Sequence, residues 1–101
     1  MSADDFDRLA RNAAADVVAF ARFVAQTEFL FEGAANAHAL ARYQAAWFDA
    51  EITNALALER WDAEGRPTAW DGPWRADFQH DAAQAVAALQ AVVALYFSPA
   101  K

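Results

Sequence analysis

The chain has 101 residues, no cysteine and a formal net charge of −6, with a sequence pI near 4.6. That length suits a single domain with one core, and the missing thiols exclude disulfides, thiolate catalysis and Cys-ligated metal. One lysine and seven scattered arginines exclude the clustered cations that nucleic acids or anionic membranes require.

Hydrophobic residues make up 57% of the chain, and 29 of them are alanine. Alanine is the strongest helix former and allows close helix approach, while large rings fill the remaining space. Six Val, one Ile and three Thr are too few for a sheet. The composition predicts an all-α protein: an antiparallel three-helix bundle of long helices at about 3–32, 36–61 and 73–97, with a tryptophan-rich connection over 62–72.

In the first predicted helix, Ser2 is placed to cap, with Asp4, Asp5 and Asp7 at the amino end. Phe6, Ala10, Ala13, Val17, Phe20, Val24, Thr27 and Phe31 then alternate spacings of four and three, which predicts one unbroken apolar seam. Gly33 is expected to end this helix as a left-handed C′ residue. The amino-terminal stretch is acidic and lacks an apolar h-region, so the expected location is cytoplasmic.

Asn36 opens the second predicted helix. One stripe on it is Ala41, Ala45, Phe48, Ile52 and Ala55; another is Leu40, Tyr43, Trp47, Leu58 and Trp61. Between the stripes lie Glu51 and Asn54. The connection WDAEGRPTAWDGPW holds Trp61, Trp70 and Trp74. Its Gly-Arg-Pro is turn chemistry, Thr68 to Asp71 has the form of a capping box around one helical turn, and Pro73 suits a first helical position.

The third predicted helix has Phe78, Ala82, Ala85, Leu89, Val92 and Tyr96 as its seam and stops before Ser98-Pro99. It carries no charge after Asp81, and Ala83, Ala87, Gln90, Ala91 and Ala94 occupy its outer side. Helices apolar most of the way round are usually covered, so a homodimer through helix 73–97 is expected.

Two groups of residues are candidates for function. At the tryptophan end, Trp70 and Trp74 with Asp62, Arg66 and Asp71 combine aromatic surface with charge, which suits protein recognition. Halfway along the bundle, antiparallel alignment brings Asp16, Glu51, Asn54, His80 and Gln84 to one level, where buried carboxylates would perturb each other and bind a small ligand or act as acid and base. Glu51-x-x-Asn54 and Asp77-x-x-His80 fall short of the paired Glu-x-x-His motifs of carboxylate-bridged metal bundles. No metal or other cofactor is therefore expected. No nucleophile–base pattern and no Gly-rich phosphate loop occurs.

The leading expectation is a non-enzymatic, acidic helical protein that binds another, basic protein, in the manner of a small inhibitor, immunity protein or adaptor. The alternatives are a ligand-binding or enzymatic bundle using the mid-bundle cluster, and a structural subunit of a larger assembly.

Overall fold

The computed structural model describes residues 3–97. They form α1 (Ala3–Ala10), α2 (Val17–Thr27), α3 (Ala37–Ala63), α4 (Asp71–Pro73) and α5 (Gln79–Tyr96), with a π-helical segment, Trp74–Phe78, joining the last two. No strand occurs among the described residues, and the chain is all-α as its composition predicts. The Ser2 cap and the Ser98-Pro99 stop lie outside the described residues.

The first long helix of the expected three-helix layout is two short helices that run in opposite directions. Gln90 Nε2 donates to Asp7 Oδ1 at 2.8 Å and Gln79 Nε2 to the Ala14 carbonyl at 3.0 Å, so α1 runs antiparallel to α5. Phe20 lies 5.9 Å from Trp74 and Phe31 stacks on Phe97 at 4.1 Å, so α2 runs parallel to α5. With α1 packed on α5, α2 on α3, and α3 on α5, the result is an up-down-up-down set of two short and two long helices. At 1.5 Å per residue α3 is about 40 Å long and sets the 46 Å long dimension of the molecule.

Two side chains make the reversal. Asn12 takes φ +64°, the left-handed region that Asn tolerates best after Gly. Asp16 is the N-cap of α2 and accepts from the Ala19 amide at 2.7 Å. The apolar seam survives the reversal, since Phe6, Ala10, Ala13, Val17, Phe20, Val24, Thr27 and Phe31 are all buried. Phe6 reaches across the hairpin to Phe23, 5.8 Å away, and on to Tyr43 at 6.3 Å.

The last carbonyls of a helix have no partner within it, and here α3 supplies donors for α2. Tyr43 Oη donates to the Thr27 carbonyl, and Trp47 Nε1 to the Val24 carbonyl at 2.9 Å. Gly33 does not have positive φ; hydrogen-bonded turns at Glu32 and Ala34 carry the chain on to Asn36, which caps α3 through the Ala39 amide at 3.0 Å. Between α3 and α5, the fully buried Ala50, Ala57 and Ala82 present only methyl groups, which lets long helices pack closely.

Burial pushes the Tyr43 hydroxyl up to about 12 from its ordinary 10.0. The neutral phenol is favoured by folding, so its contribution is complete below pH 10 and is lost as pH rises through about 12, amounting to roughly 2 kcal/mol over that window. Urea unfolding of Tyr43→Phe should show a flatter decline in stability across this range than the parent; an equally steep decline would place the titration elsewhere.

Candidate functional site

The tryptophan end is built from the turn that closes α3. Gly65, at φ +85°, and Arg66, at φ +54°, form a Schellman motif: the Arg66 amide donates to the Trp61 carbonyl at 2.9 Å and the Gly65 amide to Asp62 at 3.0 Å. The chain then returns over Trp61, whose Nε1 donates to the Pro67 carbonyl at 3.0 Å. The helical turn expected at Thr68–Asp71 does not form; helix resumes at Asp71 without a side-chain cap, and Pro73 is its third residue. The amide that Pro73 lacks would have had no partner in a first turn, so nothing is lost.

Trp70 is 4% exposed and Trp74 is 1% exposed, so both rings belong to the core and show only an edge at the surface. Trp70 and Trp74 stack on Phe78 at 5.8 and 6.2 Å. Each indole N–H has a buried use, as large amphipathic rings require. Trp70 Nε1 donates to Glu64 Oε1 at 3.0 Å, and Trp74 Nε1 donates to the Ala14 carbonyl at 3.0 Å. The Ala14 carbonyl thus accepts from Trp74 and Gln79, the two residues that bracket the π-helical turn. In that turn the Gln79 amide reaches the Trp74 carbonyl five residues back, an insertion that recurs at functional positions.

Charges ring this aromatic end. Arg60 bonds both Glu64 and Asp77, with its guanidinium 5.6 Å from the Phe78 ring centre. Arg66 pairs with Asp62 and stands 5.3 Å from the Trp61 ring centre. Asp77, then Glu64, holds the Arg60 guanidinium above its usual range; the Arg66 contact draws the Asp62 carboxyl below its own. These pairs are exposed and add little to stability. Asp62 and Arg66 engage each other, not the core.

Asp71 takes a different place. With Asp16, Val17, Trp61, Trp70 and Trp74 it lines a cleft of about 130 Å³ between the reversal and the tryptophan loop. Asp16, expected in the mid-bundle cluster, therefore stands beside residues expected to form the other site.

The mid-bundle cluster does not assemble. Glu51 is half-buried, Asn54 is 6% exposed, and His80 and Gln84 are exposed. His80 lies in a shallow groove with Asn12 and Arg75, while Gln84 lies in another with Asp49 and Asp81. No three His, Cys, Asp or Glu side chains come close enough to hold a metal ion among the described residues. Asn54 is left with a buried Oδ1 that accepts no hydrogen bond.

A surface the periodicity assigned to the interior is the outer face of α3. Phe48 is 59%, Ile52 46% and Leu56 56% exposed, and Phe29, at 67%, stands beside Phe48 across a groove that also includes Trp47 and Glu28. Of the two stripes on this helix, the one with Tyr43 and Trp47 faces the core. Ala41, Ala45 and Ala55 continue the exposed one. The two stripes lie on opposite sides of one helix, and only a third neighbour would have buried both. No family model matches the chain, and no curated protein or solved structure is found to be similar to it.

Replacing Asn54 by Leu removes a buried acceptor that has no partner at similar volume. Its unfolding free energy in urea is expected to rise by about 1 kcal/mol; a clear fall would mean that Oδ1 has a partner in solution.

Proposed function

We propose that the chain is a non-enzymatic protein-binding module whose partner lies along the outer face of α3. The ridge of Phe48, Ile52 and Leu56, extended by Phe29, carries this reading. These side chains recur at helical spacing on one face, and a contiguous exposed apolar patch of a few hundred Å² on a soluble protein usually marks an interaction site. The geometry suits an amphipathic helix laid along the ridge with its own apolar side chains between those of α3. Glu28, Asp49, Glu51 and Glu59 border the ridge and the chain carries −6 overall, which favours a basic partner. Catalysis has less support, because the polar residues that would serve it are spread over separate surfaces.

A second reading is self-association through helix 73–97. It draws on Leu95, 73% exposed, and on the exposed Ala83, Ala87, Ala91 and Ala94. Alanine gives less apolar area per residue than Phe, Ile and Leu, so α3 is the stronger candidate.

Photo-crosslinking separates the two. A benzophenone side chain at position 48 or 29 should capture a basic protein from the native host, while the same group at position 83 should not. Ile52→Glu, a surface change, should leave the helical circular dichroism intact and reduce capture by about 30-fold or more, as for a central contact. Adducts of twice the chain mass at position 83, with a dimer by light scattering, would favour the second reading instead.

A further inference from the structure

The tryptophan-end cleft contains two carboxylates, three indoles and no basic side chain among its lining residues. Asp16 uses Oδ1 on the Ala19 amide, which leaves Oδ2 uncommitted. No side-chain hydrogen bond or ion pair engages Asp71 among the described residues. The arginines of this region are tied elsewhere: Arg60 to Glu64 and Asp77, Arg66 to Asp62. Two exposed carboxylates therefore border a small cleft of mixed polar and apolar lining, with no counter-ion among the described residues.

We infer that this cleft binds an alkylammonium head group, either of a small quaternary amine or of a lysine side chain. A cation with apolar substituents meets all three wall types. Its charge is balanced by the exposed Asp16 and Asp71, its methyl or methylene groups rest on Val18, Pro67 and the half-buried Trp61, and aromatic rings attract cations through their quadrupole. The cleft, of about 130 Å³, has room for a head group of a few heavy atoms. The walls are held by bonds to one another and to groups behind them. Phe78 backs Trp70 and Trp74, and the indole bonds to Pro67, Glu64 and Ala14 fix all three rings. A bound cation would therefore meet a site with little left to order, which lowers the cost of binding. This site is remote from the α3 ridge in composition and does not rest on the protein-binding reading.

Indole N–H signals in a nitrogen–proton NMR spectrum of the full chain test the inference directly. Trp61, Trp70 and Trp74 line the cleft, while Trp47 bonds to Val24 against α2 and serves as a reference within the molecule. Titration with tetramethylammonium should shift the three cleft signals saturably and leave Trp47 in place. Choline's neutral isostere, 3,3-dimethylbutan-1-ol, should bind at least about 10-fold more weakly than choline, as should tetramethylammonium to Asp71→Asn than to the parent. Stronger binding of choline than of Nα-acetyl-lysine methylamide would assign the site to free small amines, and the reverse order to a lysine of a partner chain. Equal response to the neutral isostere, movement of all four signals together, or no saturable shift would overturn the inference.

Discussion

The Ala14 carbonyl is the point on which the architecture depends. Helices of eight and eleven residues are too short to be stable alone in water, so α1 and α2 exist only while the chain between them is held to the long pair. That hold is a double acceptance: Trp74 Nε1 and Gln79 Nε2 both donate to Ala14, each at 3.0 Å. The two donors lie on either side of the π-helical turn. In regular α-helical winding, positions 74 and 79 would be rotated further apart around the helix, and one carbonyl could not take both bonds. The reversal, the π turn and the burial of Trp74 are thus one feature seen from three elements.

The same device recurs throughout the molecule. With 29 alanines the helices have few large side chains to interlock, and alanine contacts discriminate poorly between one sliding register and another. Directional bonds from large rings supply what the methyl groups lack. Tyr43 and Trp47 fix α2 against α3, Trp61 and Trp70 fix the closing loop, and Trp74 fixes the reversal. Each bond contributes modestly on its own, but each also sets a position along an otherwise smooth helix face. The ring surfaces then fill the wider gaps, as Phe6, Phe20 and Phe31 do.

Much of this was legible in the residues. Every member of the first seam is buried; of the third helix's seam Ala82 and Leu89 are buried, while Phe78, Ala85, Val92 and Tyr96 are half-buried and Val86 and Val93 go deeper. Direction was not legible from that pattern, because a seam that continues in phase through residues 11–16 looks the same whether the chain goes straight on or doubles back. The signal lay in polar residues read another way. The mid-bundle alignment takes Asp16 as inward-facing chemistry, yet Asp is a preferred N-cap, and Asn12 is of a residue type that accepts φ +64°. The stripes of α3 posed a different problem: two apolar faces on one helix leave the choice to whichever has more neighbours, and that number depends on the reversal. The cleft joined Asp16 to Asp71 for the same reason, since only a chain that turns back at Ala14 brings the start of α2 to the tryptophan loop.

The reversal therefore accounts for both surfaces that remain open to a ligand. A straight first helix would extend past the tryptophan loop, and its side chains would occupy the space between Val17 and Trp70. Ending α1 at Ala10 and starting α2 at Val17 leaves that space to two carboxylates and the edge of an aromatic cluster. It also takes α1 to α5 and α2 to α3, which completes the four-helix set around the Tyr43 side of α3. With the positions beside the core taken, the Phe48–Ile52–Leu56 side stays exposed among the described residues. Apolar area of that kind persists against a solubility cost, and no described residue covers it, which is the physical basis of the protein-binding proposal.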